Sequence, residues 1–197
     1  MTKRLFDVAF AIFGLIILSP VFLVVASLIK IKSPGPVFFK GTRIGKDGKP
    51  FKMLKFRTMV VGAEKMGGPS TAADDPRLLK IGSVLKKYQL DELPQLVNVL
   101  KGEMSFVGPR PEVPVYVNMM TEEEKKIILP IKPGMTDLAS LRNFHEGEAL
   151  KSSEDPEKVY LEKIRPEKIR LQIEYVKTHS FLLDLKIIFK TIFKVFK

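Results

Sequence analysis

No cysteine occurs among the 197 residues, which excludes disulfides, thiol chemistry and cysteine-based metal sites. Histidine is nearly as scarce. With only His145 and His179, an imidazole-rich metal centre is not expected, and each reads as an ordinary surface or partly packed residue. Acidic residues are outnumbered, 22 against 33 lysines and arginines, and the resulting net charge of +11 calls for an anionic partner. Nucleic acid, anionic lipid and phosphorylated small molecules all satisfy that demand. Charge is missing altogether from Val8 to Ile29, a run of 22 residues. As one straight helix it would reach about 33 Å, enough for a hydrocarbon core of about 30 Å. The length and the 45% hydrophobic content suit a single domain plus an anchor.

The apolar run is too long for a cleaved signal peptide, and no small-x-small cleavage site follows it. Ser19-Pro20 interrupts it near the centre, and both flanks are basic, with Lys3 and Arg4 before it and Lys30 and Lys32 after it. Positive charge prefers the cytoplasmic side, so a straight span sets the two flanks in conflict. A helix that enters, bends at Ser19-Pro20 and leaves on the same face removes the conflict, and the Ser19 hydroxyl is placed to serve a carbonyl freed by the proline. Proline is also common in true spans, so both topologies stay open at this point.

After the turn-rich Lys32-Ser33-Pro34-Gly35-Pro36, residues 37–44 and 51–59 read as two strands joined through Lys46-Asp47-Gly48-Lys49, where Asp-Gly favours a hairpin turn. Alternation puts Lys55 and Arg57 on one face, within reach of one anionic ligand. Residues 60–76 read as a loop and a cover for a site, and 84–90 as a short helix carrying Lys86 and Lys87.

The stretch Asp91–Glu112, DELPQLVNVLKGEMSFVGPRPE, is the one the chain is organised around. Leu93, Leu96, Val97 and Leu100 form an apolar face, predicting a helix from about Glu92 to Leu100 with Pro94 in its first turn and Asp91 as N-cap. Such a helix start attracts phosphate, and Gly108-Pro109-Arg110-Pro111 fixes the backbone on both sides of a guanidinium suited to bidentate phosphate contact. Alone, the Asp-Glu pair is better explained by an acidic cap before a proline turn.

Further on, Thr121-Glu122-Glu123-Glu124 has capping-box form, Ile131–Asn143 contributes Arg142 and Asn143 as candidate ligand contacts, and a polar loop at 151–158 leads into a helix ending near Lys177. In the tail, Lys186, Lys190, Lys194 and Lys197 fall in one narrow helical stripe, with Leu182, Leu185, Ile188, Phe189, Ile192, Phe193 and Phe196 over much of the remainder. That pattern suits a helix lying in an anionic membrane interface, a reading that an anchor at the other end of the chain favours over a helix packed on the core.

Taken together, these motifs resemble the bacterial sugar transferases of the monotopic phosphoglycosyl transferase type. The resemblance rests on Ser19-Pro20, Lys55-Phe56-Arg57-Thr58-Met59, Leu90-Asp91-Glu92-Leu93-Pro94-Gln95-Leu96, Ser105-Phe106-Val107-Gly108-Pro109-Arg110-Pro111, Lys132-Pro133-Gly134-Met135-Thr136 and Leu183-Asp184-Leu185-Lys186-Ile187-Ile188, which span nearly the whole chain. It implies transfer of a phosphosugar from a nucleotide diphosphate sugar, uridine being the family's nucleotide, to a polyprenyl phosphate. It implies Asp91 as nucleophile with Glu92 beside it, a Mg²⁺ ion held at these two carboxylates, and a re-entrant helix in the cytoplasmic leaflet of the cell membrane. The expected architecture is α+β and mainly helical, with residues 1–32 as anchor and 33–197 as a cytoplasmic catalytic domain carrying a small β-hairpin and a C-terminal interfacial helix. Two departures stand out: Lys86 sits where the family often has a phosphate-binding arginine, and Asp137 where many members have glycine.

The chemistry fits the residues on its own terms, since a carboxylate can attack phosphorus once cations neutralise a diphosphate. Lys55, Arg57, Lys86, Arg110 and Arg142 are the candidate substrate-binding residues. Two other classes account for the charge: a membrane-tethered basic module that binds nucleic acid or lipid without catalysis, and a structural membrane adaptor. Neither explains the Asp-Glu pair, and the basic residues are not interleaved with aromatics as base-stacking platforms would be, so no nucleic-acid partner is expected.

Overall fold

The computed structural model of the chain describes residues 2–142 and 146–195. Met1, Asn143, His145, Phe196 and Lys197 lie outside the described residues.

The apolar run forms two helices, α1 (Thr2–Ile17) and α2 (Ser19–Lys32), bent by 60° at Leu18. Pro20 sits in the first turn of α2, where a missing N–H costs nothing, and the Ser19 hydroxyl donates to Ile16 O at 2.8 Å. The break at Ser19-Pro20 is thus a built corner. Among the described residues no single helix is long and apolar enough to cross a membrane, while the bent pair passes on length and composition together. Much of its outer surface is bare hydrocarbon, including Leu5, Phe13, Ile16, Leu23 and Ile31.

The hairpin β1 (Phe38–Ile44) and β2 (Pro50–Phe56) is antiparallel, with Ile44 opposite Pro50. At its tip Asp47 and Gly48 take positive φ of 57° and 73°, the conformation that an Asp-Gly turn permits. Then come α3 (Lys80–Lys87), α4 (Gln95–Lys101), β3 (Ser105–Val107), α5 (Pro114–Asn118), α6 (Glu122–Ile128), β4 (Gly134–Thr136), α7 (Leu138–Arg142), α8 (Glu146–Ala149), α9 (Pro156–Val159), α10 (Arg165–Thr178) and α11 (Phe181–Val195). A π turn, Tyr160–Ile164, joins α9 to α10. The chain is mainly helical α+β, as expected. The small sheet of β3 and β4 is parallel, a pairing that the sequence pattern does not announce. It brings Gly108 and Gly134 so close that a Cβ on Gly134 would lie 2.1 Å from Gly108 N, so neither position admits a side chain. The capping box at α6 is present, with Thr121 Oγ1 accepting from Glu124 N at 3.2 Å and Glu124 returning a carboxylate to Thr121 N at 2.9 Å.

The first helix shares its core with the rest of the chain: Ala11 packs with Met53 of β2 and Leu96, Val99 and Met104 around α4. A second cluster joins Val25 and Ile29 of α2 to Phe56 and Leu85. The basic flank at Lys3 and Arg4 and the adjoining Asp7 are equally committed. Arg4 donates to the carbonyls of Val99 and Leu100, capping the C-terminus of α4, and Asp7 accepts from Ser105 Oγ at 3.1 Å and Phe106 N at 3.2 Å. Lys3 reaches Val107 O at 2.9 Å and pairs with the buried Asp184 of α11. The tail helix packs on the core along one side. Asp184, Ile187 and Thr191 face the core and Lys194 turns inward to Leu141 O, while Leu182, Phe189, Ile192 and Phe193 remain exposed on the other side.

Candidate active site

Asp91 and Glu92 do not open a helix in the expected way. They lie in a 3₁₀ turn, Leu90–Glu92, and α4 begins only at Gln95, with Pro94 at its N-cap position. Asp91 caps nothing. The predicted helix start near Glu92 fails because Gln89, at φ 52°, reverses the chain between α3 and this turn, so the direction of α4 is set after the carboxylates. Helix α3 likewise begins at Lys80, four residues ahead of the expected Val84.

The turn points two carboxylates into different surroundings. Glu92 Oε1 accepts from Lys55 Nζ at 2.7 Å and from Arg110 Nη2. Burial alone would push the Glu92 carboxyl up, but Arg110 and Lys55 outweigh it and hold the group well below the usual range. Asp91 is 5% exposed, accepts no hydrogen bond among the described residues, and has Lys55 Nζ 3.9 Å from Oδ2. Burial raises its pKa, Lys55 pulls the other way and Glu92 adds to the rise, leaving the group pushed up to about 6. One acid is therefore a locked counter-ion and the other a carboxylate with a single long ion pair and no hydrogen bond among the described residues. That division is the signature of unlike roles within a pair.

Arg110 is held on every side. Its Nη1 donates to Met135 O at 2.9 Å, its backbone N–H to Asp137 Oδ2 at 3.2 Å, and its carbonyl accepts from Gln172 Nε2 at 3.4 Å. Asp137 is fully buried and also accepts from Ser140 N at 2.6 Å in the first turn of α7, so the residue that departs from the family's glycine supports Arg110. Lys86, half-buried on α3, makes no ion pair among the described residues; burial and the neighbouring Lys55 lower its pKa while Asp91, Glu92 and Asp75 raise it. It therefore belongs to the same charge cluster.

Two of the expected phosphate-binding residues do other work. Arg57 falls just past the end of β2, is 4% exposed, and donates Nη1 to Pro34 O at 2.7 Å and Nη2 to Ser33 O at 2.8 Å. It fastens the exit of the helical hairpin, because β2 ends at Phe56, three residues short of the expected Met59, and the alternation does not reach Arg57. Arg142 lies at the exposed end of α7 and pairs with Glu167 at 2.8 Å, without contact to the carboxylates. The loop expected as a cover is organised around Arg77, which donates to Ala63 O, Gly68 O, Ser70 O and Asp75. With residues 152–157 it walls a cavity of about 510 Å³ lined by Asp74, Asp75, Arg77 and Glu157.

No group of three His, Cys, Asp or Glu that could hold a metal exists among the described residues. Both Asp91 oxygens and Glu92 Oε2 accept no hydrogen bond there, a donor set of one or two carboxylates that suits Mg²⁺ completed by substrate phosphates and water.

The bent helix pair packs on β2, α3 and α4, the elements that frame a carboxylate pair beside Lys55, Lys86 and Arg110. The family model described as bacterial sugar transferase matches residues 1–197, and the chain belongs to that family. It is 37% identical over 199 residues to the UDP-glucose:undecaprenyl-phosphate glucose-1-phosphate transferase of Escherichia coli K12, which covers 100% of the chain and 40% of that protein. It is 35% identical over 192 residues to the UDP-N-acetylgalactosamine-undecaprenyl-phosphate N-acetylgalactosaminephosphotransferase of Aeromonas hydrophila, covering 96% of the chain and 42% of that protein. With the exopolysaccharide production protein PSS of Rhizobium leguminosarum it shares 39% identity over 202 residues, covering 96% of the chain and 92% of that protein. The chain thus spans less than half the length of the first two relatives.

Proposed function

We propose that the protein transfers a phosphosugar from a uridine diphosphate sugar to a polyprenyl phosphate of the undecaprenyl type, through a covalent intermediate on Asp91, as a membrane step in polysaccharide assembly. The single observation that carries this reading is the buried Asp91 carboxylate, free of hydrogen bonds among the described residues and beside a Lys55–Glu92–Arg110 cluster. Two relatives named for transferring sugar phosphates from UDP-sugars to undecaprenyl phosphate support the substrate classes.

In the first displacement an Asp91 oxygen bonds to the sugar-side phosphorus, and the bond from that phosphorus to the bridging oxygen breaks. A nucleoside monophosphate leaves with that oxygen. In the second, a phosphate oxygen of the polyprenyl phosphate attacks the same phosphorus and the acyl-phosphate bond breaks, restoring the carboxylate and giving a polyprenyl diphosphate sugar. Arg110 is held rigid against the reacting phosphates by Glu92, Met135 O and the Asp137–Arg110 backbone contact, and Lys55 stands between both carboxylates. Mg²⁺, held by Asp91 and Glu92, would neutralise diphosphate charge. Lys86 contributes long-range positive potential.

Because Asp91 attacks as an anion and its pKa is pushed up to about 6, the pH profile of kcat/KM for the donor should be flat above about pH 7. It should then fall tenfold per pH unit below about 6, whereas an ordinary carboxylate would hold activity to near pH 4. Stopped assays of nucleoside monophosphate release across pH 4.5–8 measure it. A limb near 4 would remove Asp91 as the titrating nucleophile.

The bent pair and its apolar surface support a re-entrant hairpin in the cytoplasmic leaflet, with both basic flanks on the catalytic side. The exposed face of α11, with Leu182, Phe189 and Phe193 beside the exposed Lys186 and Lys190, would lie on the same surface. Cysteines introduced at positions 2 and 32 should both resist an impermeant maleimide applied outside the cell and react after permeabilisation. Labelling of position 2 from outside would replace the hairpin with a span.

A further inference from the structure

The Arg43 guanidinium, on the strand paired with the one that carries Lys55, has no task in the transfer chemistry. Arg43 stands on β1, and since residues opposite one another in a hairpin share a face, Phe39, Gly41 and Arg43 lie on the side of Lys55, Met53 and Phe51. That side meets α4: Met53 packs on Leu96 and Val99, and Lys55 reaches Glu92. The end of β1 is also tied to the arginine loop, because Ile44 N donates to Glu112 O at 3.0 Å. Arg43 is therefore one residue from a strand contact made two residues after Arg110.

Gly41 determines where the side chain lies. A Cβ there would fall 2.9 Å from Arg43 Nη1 and 2.8 Å from Phe39 Cε1, so the guanidinium lies back over position 41, toward the row that holds Lys55. It is half-buried, its one hydrogen bond among the described residues goes from Nη1 to Thr42 O at 2.9 Å, and it forms no ion pair among them. Burial and the adjacent Arg110 charge lower its pKa, while Glu92 and Glu112 raise it. By contrast Arg110 already donates from both terminal nitrogens. A partly desolvated guanidinium with spare donors, on a strand bonded to the loop that carries Arg110, is suited to a dianionic ligand that bridges both arginines.

We propose that Arg43 is a phosphate-binding residue of this site, pairing with Arg110 on oxygens of a phosphate group carried by one of the two substrates. This rests on the phosphosugar-transfer reading for its substrates. The competing role is charge balance for Glu112, whose buried carboxylate has no hydrogen bond among the described residues. That role would move stability and leave substrate concentration dependence alone.

The test uses the full chain in detergent or lipid discs, with Arg43→Gln, Arg43→Lys and Gly41→Ala. Adduct formation from the donor alone reports the donor diphosphate, and steady-state turnover against polyprenyl phosphate reports the acceptor. In Arg43→Gln the half-saturating concentration of at least one should rise about tenfold or more, with partial recovery in Arg43→Lys and a shift in the same direction in Gly41→Ala. A rise in the donor arm only assigns the donor phosphate, in the acceptor arm only the lipid phosphate, and in both a shared subsite. Shifts under twofold in both arms, or a lowered melting temperature with unchanged half-saturation, would overturn the proposal. Titration of inorganic pyrophosphate into wild type and Arg43→Gln keeps this separate from the transfer reading. Weaker binding in the variant supports a phosphate contact even where wild type forms no adduct, and equal binding refutes it.

Discussion

Replacing Asp91 by asparagine should reduce transfer by at least ~10³-fold and leave the fold intact. The side chain accepts no hydrogen bond among the described residues and caps no helix, so an amide of the same shape breaks no hydrogen bond and gives up only the 3.9 Å ion pair to Lys55. Its charge is also disfavoured by burial, which makes loss of the anion close to neutral or slightly favourable for stability. The melting temperature should accordingly stay within about 4 °C of wild type, the upper end of the shift that ~1 kcal/mol gives a domain of this size. A catalytic loss on that scale with unchanged melting separates a nucleophile from a structural acid. A large fall in melting temperature with residual turnover would return Asp91 to the role of buried structural charge.

Glu92→Gln should behave differently. Here one oxygen neutralises both Lys55 and Arg110, and removal of one partner of such a buried cluster costs about 3–5 kcal/mol. Melting should fall measurably and turnover should drop by about 10²-fold through misplacement of Arg110. The pH profile should also move, and its sign is fixed. Glu92 raises the Asp91 pKa, so its loss lowers it, and Lys55, 3.9 Å away, is freed to pull it further down. The acid limb of kcat/KM should shift from about 6 toward the ordinary carboxylate range. A limb that moves upward would mean that Lys55 and Arg110 leave the site when Glu92 is neutral.

Much of this arrangement is legible in the amino-acid sequence alone. The alternation of β2 delivers Lys55 to the carboxylates, Ser19-Pro20 announces the corner, and Thr121-Glu122-Glu123-Glu124 forms its capping box. Such signals run out where a single residue decides direction. Gln89 at positive φ turns Asp91 out of the helix that the Leu93, Leu96, Val97 and Leu100 pattern implies, because periodicity reports which side chains share a face and says nothing about the turn that precedes them. Arg57 departs from expectation for a related reason: alternation carries one residue beyond the strand, where the side chain meets the carbonyls of Ser33 and Pro34. Lys3 and Arg4 look like flank charges for a membrane interface, and the contacts that claim them are about 95 to 180 residues away in the chain. Arg43 is within reach of sequence reasoning, since the Asp-Gly turn fixes the hairpin register and so its face. The strand's bond to the Arg110 loop through Glu112 O is not.

A covalent phosphosugar on Asp91 is tested most directly by intact-protein mass spectrometry. The full chain is incubated with a UDP-sugar and Mg²⁺ but no polyprenyl phosphate, then digested to place any added mass. The expected result is one phosphosugar mass per chain, located on the peptide containing Asp91, accompanied by an equal amount of nucleoside monophosphate and removed on addition of polyprenyl phosphate. An adduct on another residue, or monophosphate released only when donor and acceptor are present together with no adduct at any time, would contradict it.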